Sequence, residues 1–290
     1  MNKNSSIRGF SLLEALASTA ILMVLAGATF SGLLTYQKVY ASVELKADMH
    51  SGLRGATEML SQEIGQAGKF SYSGTTLAMA VSGGPSLQTI TLASPASVFA
   101  GEILLVDTGL SQESVTVNSV STSSITAVFH NNHASGAPVN AVGVLSQGIL
   151  SSSTGTQLQL LGDINGDGTL VYAQYDCDTT AGTLSRSVTP ITASAISPSQ
   201  LLLEGLAANP DGAPCFRYSS TTAAGYTFIT NVGVTLTVQT LQADPQTGQA
   251  STMTNTFDNL SPRNVLAGLE LAQAGVLQVL QPTPPGVPLH

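Results

Sequence analysis

The feature that most constrains the fold of this chain is an uncharged apolar segment close to its N-terminus. Ala15 to Leu34 is a run of 20 residues without a charged side chain or a proline. At a rise of 1.5 Å per residue, a helix of this length spans about 30 Å, the thickness of a bilayer core. Two basic residues, Lys3 and Arg8, precede the run. The positive-inside rule therefore predicts a cytoplasmic N-terminus and places the chain beyond Tyr36 outside.

The apolar run continues without interruption into an amphipathic segment. Apolar residues recur there at spacings of mostly three or four, and charged residues fill the other faces. The apolar positions are Val39, Val43, Met49, Leu53, Ala56, Leu60, Ile64 and Ala67. We therefore predict one helix over residues 10–67, whose transmembrane part is residues 15–34. A cleaved secretory signal peptide, the main alternative, would have a shorter apolar core ending in a small-x-small site.

Beyond Gly74 the sequence changes to short apolar stretches separated by Gly, Pro, Ser and Thr, a pattern typical of strands and turns. The segment from Leu201 to Leu206 fits either a strand or a helical turn. The other predicted strands are 87–92, 103–106, 114–120, 125–129, 142–145, 158–161, 170–175, 226–229 and 232–241. The predicted fold class is α+β, with a long N-terminal α-helix packed on a β-rich globular head that contains an inserted small β-module. The predicted domains are a leader at 1–9, the helix at 10–67, the β-module at 83–144, the β head at 145–262 and a Pro-rich mobile tail at 263–290.

Charge is distributed unevenly along the chain. Only 9% of the residues are charged, against about 25% in an average soluble protein. From Phe70 onward, three basic residues accompany twelve acidic ones, a net charge of −9. Since affinity for nucleic acid depends on neutralising phosphates, we expect no nucleic-acid partner.

Glu14 is the one acidic residue at the start of the apolar span. An acid inside a membrane span costs a few kcal/mol without a partner, and such residues are functional by default. The alternative is a helix-start acid that interacts favourably with the helix dipole.

The segment from Arg8 to Glu14, RGFSLLE, resembles the prepilin processing site of type IV pilins and type II secretion pseudopilins. The resemblance implies that a membrane peptidase cleaves after Gly9 and that Phe10 becomes the N-methylated first residue. It also implies that Glu14 is the assembly glutamate. The implied partners are the prepilin peptidase, other pilin or pseudopilin subunits, the inner-membrane assembly platform and membrane lipid. Many major pilins have a proline near the middle of the span, and this helix has none.

Several segments of the head resemble the C-terminal region of PilW-type minor pilins. They are Val171-Tyr172, Leu184 to Arg186, Leu201 to Leu206, Cys215 to Tyr218 and Val234 to Val238. This resemblance implies a minor pilin of a type IV pilus that primes assembly or sits at the tip. Such a subunit is a single-pass inner-membrane protein with a periplasmic head, and then part of a cell-surface pilus. A type II secretion pseudopilin of the J type is the alternative that the sequence leaves open.

Two cysteines, Cys177 and Cys215, are the only ones in the chain. Two cysteines fit free thiols in the cytosol or a single disulfide outside it. Because the N-terminal segment places both outside, we predict that they form a disulfide.

Asp163 to Thr169, DINGDGT, matches the first seven positions of an EF-hand-type calcium loop. The ligands would be Asp163, Asn165, Asp167 and Thr169. The match fails at position 12, where Gln174 replaces the expected glutamate, although Asp176 and Asp178 could substitute. The alternative is a hairpin turn, which Asn-Gly and Asp-Gly dipeptides favour for steric reasons. Calcium is the only cofactor that the sequence suggests.

No catalytic motif stands out, and we predict that the chain is not an enzyme. His130 and His133 would need a third ligand to form a zinc site, and the sequence places none nearby. A membrane-anchored extracytoplasmic enzyme or a secreted adhesin are the alternatives from other functional classes. A missing catalytic site disfavours the first, and an unbroken N-terminal helix disfavours the second.

Overall fold

A computed structural model describes residues 11–70, 74–94 and 98–287 of the chain. The chain divides into two compact units. The first comprises the residues up to His50 together with Thr240–Ser251. The second comprises Ser51–Gln239 together with the residues from Thr252 on.

The long N-terminal helix predicted from the sequence is present as α1, Leu12–Gln66, which contains 55 residues. It ends where Gly68 adopts a φ of +82°, a left-handed conformation that glycine tolerates best. The amide of Asn264 donates hydrogen bonds to the main-chain oxygens of Gln66 (3.2 Å) and Ala67 (3.4 Å). These bonds satisfy carbonyl groups at the C-terminal end that have no partner within the helix.

In the first unit, the segment Thr240–Ser251 contacts α1 through one buried carboxylate. Asp244 accepts a hydrogen bond from the Ser42 hydroxyl at 2.8 Å, and Lys46 Nζ lies 3.2 Å from the same oxygen. The backbone N–H of Gln246, the Ser42 hydroxyl and the Lys46 ammonium together lower the pKa of Asp244. The ionised carboxylate therefore stabilises this contact.

The described residues of the inserted module, in the second unit, form seven short strands in two antiparallel sheets. Their orders are β1-β7-β3-β4 and β2-β6-β5. The strands are β1 (Thr75–Thr76), β2 (Leu87–Thr91), β3 (Ile103–Val106), β4 (Glu113–Thr116), β5 (Ser119–Val120), β6 (Ser124–Val128) and β7 (Pro138–Ala141). Side chains from both sheets form one buried core, which includes Leu77, Leu104, Ile125, Phe129 and Val139. The module therefore has a hydrophobic core of its own.

The bounds of the module differ from the predicted 83–144. It begins with β1, because Thr75 and Thr76 pair with Val139 and Pro138 of β7. A segment of two residues is too short to give a strand pattern, so only this long-range pairing defines β1. At the other end, Val144 pairs with Leu280 and not with the module.

Within its described residues, the head contains ten further strands and a second α-helix. The strands are β8 (Val144–Leu145), β9 (Gln157–Gly162), β10 (Val171–Asp178), β11 (Thr183–Pro190), β12 (Gln200–Glu204), β13 (Leu206–Ala207), β14 (Phe216–Ala223), β15 (Tyr226–Gln239), β16 (Thr252–Leu260) and β17 (Leu280–Gln281), and the helix is α2 (Arg263–Gln273). One antiparallel sheet has the order β12-β11-β10-β9. In the other, β15 pairs with β13, β14 and β16. Strands β8 and β17 form a parallel pair.

The predicted mobile tail at 263–290 is wrong for its first part. The segment from Arg263 to Gln281 contains α2 and β17, and Val265 and Leu280 are buried in a core cluster with Phe228. The amide of Gln281 is also buried, and it bonds the main chain of Ile103 in the inserted module. α2 is ordered because the apolar side chains on one of its faces pack into the core. The prolines lie further along the chain and do not prevent this packing.

Local patterns predicted most apolar strands, and long-range pairing produced the others. Ile103–Val106 has the predicted bounds, and the two segments predicted between Tyr226 and Leu241 are one strand, β15. The ambiguous segment Leu201 to Leu206 contributes to two strands, β12 and β13. The sequence did not predict β11, β14 and β16, whose residues are largely polar.

Candidate functional site

The first half of α1 presents a continuous uncovered apolar surface. Every residue from Ser11 to Tyr40 is exposed, and α1 is long and apolar enough to cross a membrane. The exposed side chains include Leu12, Leu16, Met23, Val24 and Phe30. An apolar surface of this size marks a contact with lipid or with another protein.

Glu14 lies in the first turn of α1 and is exposed. The Ser18 hydroxyl donates a 2.7 Å hydrogen bond to its main-chain oxygen and not to its carboxylate. Within the residues that the structure describes, the Glu14 carboxylate forms no hydrogen bond or ion pair. It is therefore accessible to a cationic group of another molecule. Gly9 and Phe10, the predicted processing residues, lie outside the described part of the chain.

The second half of α1 is held in the head by a buried charged network that the sequence did not reveal. Glu63 accepts a 2.6 Å hydrogen bond from the Tyr175 hydroxyl of β10, and Arg186 of β11 forms an ion pair with the same carboxylate. Burial and the Glu63 charge raise the pKa of Tyr175, which keeps the phenol protonated as a donor. Leu60 and Ile64 are fully buried on either side of Glu63 in the sequence.

Cys177 and Cys215 form the disulfide predicted from the sequence, with their Cα atoms 6.5 Å apart. Cys177 belongs to β10, and Cys215 directly precedes β14. The bond therefore joins the two large sheets of the head. Both cysteines are buried, at 4% and 3% exposure.

The calcium-like loop connects β9 to β10 as a hairpin, in which Gly162 pairs with Val171. Asp163 is buried at 1% exposure, and Lys69 Nζ lies 3.3 Å from its Oδ2. Asp167 accepts a 2.8 Å hydrogen bond from the main-chain N–H of Thr169, an Asx turn. The geometry is that of the hairpin alternative, and a calcium ion would compete with the Lys69 ammonium for Asp163.

Asp176 and Asp178 do not complete the calcium loop as the sequence analysis suggested. Asp176 pairs with Gln157 at the opposite end of the hairpin and accepts hydrogen bonds from Gln157 and Gln174. Asp178 accepts hydrogen bonds from main-chain N–H groups of the next turn, at residues 180 and 181. An eight-residue strand carries both carboxylates away from the loop.

His133 is a buried member of the inserted module, and His130 is exposed. The ring of His133 lies between two carboxylates, with Nδ1 3.0 Å from Asp107 and Nε2 2.7 Å from Glu113. The hydrogen bond to His133 is the main cause of the lowered pKa of Asp107. Burial opposes the lowering at Glu113, but His133 and the main-chain N–H groups of residues 130 and 131 outweigh it and leave its pKa lowered.

This cluster fixes a loop, because the two carboxylates bond opposite ring nitrogens of His133. Among the described residues, no group of three or more His, Cys, Asp and Glu side chains has the geometry to hold a metal ion. The sequence signal that could have located the cluster is the pair of histidines, but the acidic partners lie 20 and 26 residues away.

Comparison with family models and with curated proteins identified no relative of this chain. No family model matches the chain, and no curated protein matches it.

Proposed function

We propose that this chain is a minor pilin subunit of a type IV pilus, anchored in the inner membrane by α1 and assembled through that helix. Its head would lie in the periplasm before assembly and at the cell surface afterwards. The observation that carries the proposal is the uncovered apolar half of α1, with the accessible Glu14 carboxylate in its first turn. A membrane holds this surface before assembly, and neighbouring helices would replace the lipid in a filament.

Glu14 would set the position of each subunit relative to its neighbour. Cleavage after Gly9 creates a new α-amino group on Phe10, which is a cation in an apolar environment. A buried charge is costly alone, whereas two opposite charges that pair are tolerated. Apolar helix surfaces can pack at many axial positions, and the ion pair selects the one position at which both charges meet. The accessible carboxylate supports this role because no described residue of the same chain competes for it.

The head is built to remain attached to α1 during assembly. Glu63 connects the helix to two strands of the head through Tyr175 and Arg186. Removing one member of a buried pair leaves an uncompensated charge, which typically costs about 3–5 kcal/mol. The disulfide between the two sheets adds a covalent constraint and is consistent with an oxidising compartment such as the periplasm.

Mass spectrometry of the N-terminal peptide, from chain isolated from its native membrane, tests the proposal. We expect a mature N-terminus at methylated Phe10, and an intact leader in a matched Gly9→Val variant. An unprocessed wild-type chain, or cleavage after the apolar run, would show that the chain is not a pilin. The second result would favour a secreted adhesin.

The location of the processed chain separates a pilus subunit from a secretion pseudopilin. A minor pilin should be recovered with sheared surface filaments, at a low ratio to the major subunit. A J-type pseudopilin should instead stay with the cell envelope and be required for export of a secreted protein.

A further inference from the structure

Strand β16, Thr252–Leu260, forms an open edge of the second large sheet. It pairs with β15 on one side, and no other described strand pairs with it. None of its nine residues is fully buried, and exposed and half-buried residues alternate along most of it. Its outer main-chain N–H and C=O groups are therefore accessible to a further strand.

The N-terminal part of this edge lacks the features with which proteins block unwanted pairing. Thr252 to Phe257 pair regularly with β15 and include no charged residue and no proline. Natural edge strands commonly use lysine, proline or a bulge for protection. The only irregularity follows at Asp258 and Asn259, which together face Gly233 of β15 as a bulge. Six residues thus offer a regular pairing edge of about 20 Å.

A cavity of about 890 Å³, whose lining is polar and apolar in similar proportion, lies at the C-terminal end of β16. It is lined by Asn259, Leu260 and Ser261, by the last turns of α1 including Glu63, by the Ile164–Gly166 loop and by the two basic residues Lys69 and Arg263. Two further side chains in its lining, Gln62 and Gln66, are carboxamides. The cavity is therefore rich in hydrogen-bonding groups and directly continues the open edge.

Among the described residues, Arg263 is the charged side chain of the cavity lining without an ion pair, because Lys69 pairs with Asp163 and Glu63 pairs with Arg186. Three arginines lie C-terminal to Lys69. Arg186 is paired with Glu63, and Arg217 is paired with Asp258. Arg263 is exposed and has no ion pair within the described part of the chain. A guanidinium group with free donors in a concave site favours a carboxylate.

We propose that β16 and this cavity form a binding site for an extended acidic peptide segment of another polypeptide. The segment adds a strand to the Thr252–Phe257 edge, and an Asp or Glu side chain at its end enters the cavity and pairs with Arg263. Main-chain hydrogen bonds supply affinity in this mode of recognition, and the pocket supplies specificity. The site does not depend on how α1 is used, so it stands or falls separately from the proposed function.

Fluorescence anisotropy with the full-length chain in detergent tests the proposal. The probe is a fluorescein-labelled peptide, Asp-Glu-Gly-Thr-Val-Thr-Val-Thr, which places its acids beside the cavity when it pairs antiparallel to β16. Two matched peptides serve as controls. One carries Asn-Gln in place of Asp-Glu, and the other is N-methylated at alternate residues so that it cannot pair as a strand.

We expect saturable binding of the acidic peptide that weakens as salt is raised. Binding should weaken about threefold or more with the Asn-Gln peptide and with Arg263→Gln, as loss of one solvent-exposed ion pair predicts. The N-methylated peptide should not bind. The matched variant Arg54→Gln, which removes an exposed arginine of α1 outside the cavity lining, should bind like the wild type.

Equal binding by Arg263→Gln and the wild type would overturn the assignment of the cavity, and equal binding of the N-methylated peptide would overturn the strand addition. Dimerisation through β16 in the absence of peptide would also overturn the proposal, because it would assign the edge to a second copy of the chain. A disulfide cross-link between two copies of a Thr254→Cys variant would show such a dimer.

Discussion

Replacing Glu102 with glutamine should stabilise the head at neutral pH and have little effect in mild acid. The Glu102 side chain is fully buried just before β3. One carboxylate oxygen accepts a 2.9 Å hydrogen bond from the main-chain N–H of Phe99. The other oxygen has no hydrogen-bond partner among the described residues. Burial raises the pKa of Glu102 from 4.5 to about 7, and the Phe99 hydrogen bond opposes only part of this rise.

The size and direction of the effect follow from proton linkage. Below pH 4.5 the carboxyl group of Glu102 is neutral in both the folded and the unfolded chain, and it imposes no penalty. Between pH 4.5 and 7 the unfolded chain loses the proton first, so the free energy of unfolding falls as the pH rises. Each pH unit in this range costs about 1.4 kcal/mol, which gives a total of about 3 kcal/mol above pH 7. Glutamine keeps the acceptor for Phe99 and removes the titration.

Urea unfolding of the full-length chain at pH 4.5, 6 and 8, followed by near-ultraviolet circular dichroism, measures this difference. Subtracting the wild-type free energy of unfolding from that of Glu102→Gln cancels the contributions of all other titrating groups. The difference should grow by about 3 kcal/mol between pH 4.5 and 8. Glu204→Gln, an exposed site at the end of β12, is the matched control and should show no such growth. If the difference for Glu102→Gln stays constant with pH, the reasoning about its burial is refuted.

Three further predictions concern the helix, the disulfide and the hairpin loop. Glu14→Ala should yield a processed, membrane-held subunit with an unchanged head that enters sheared filaments poorly, and recovery at the wild-type ratio would contradict the ion-pair mechanism. Replacing both Cys177 and Cys215 with serine should lower the free energy of unfolding by about 4 kcal/mol, the chain-entropy value for a separation of 38 residues. Two free thiols per chain in native material would contradict the disulfide itself. If the hairpin loop binds calcium, the ion should raise the melting temperature of the wild type but not of Asp167→Ala. Equal melting temperatures in calcium and in chelator would leave the loop as a hairpin closed by hydrogen bonds.

The sequence by itself determined the elements whose signals are local. The helix follows from an apolar run that continues into an amphipathic one without proline, and its observed bounds, Leu12–Gln66, lie within two residues of those predicted. Strand β3, Ile103–Val106, follows from four consecutive branched aliphatic residues. With two cysteines in the chain, only one intramolecular disulfide is possible. In each case neighbouring residues or simple counting carry the information.

Tertiary structure decided the elements whose stability comes from distant partners. Strand β16 has a polar sequence without a clean apolar alternation, and it exists because β15 supplies a pairing edge. Helix α2 was assigned to a mobile tail because prolines follow it, although Val265 enters a core formed with Phe228. Local propensities do not predict such a core, because the residues that form it lie far apart in the sequence.

The same limit applies to the candidate sites. Glu14 could be singled out because its cost is local: an acid at the start of an apolar span needs a partner. The Glu63 network could not be found, because Tyr175 and Arg186 follow at separations of 112 and 123 residues and meet only through the pairing of β10 and β11. The unpaired state of Arg263 was equally hidden, since it depends on where every other charge comes to lie. Sequence patterns report the environment that neighbouring residues create, whereas burial, pairing and open edges are properties of the assembled fold.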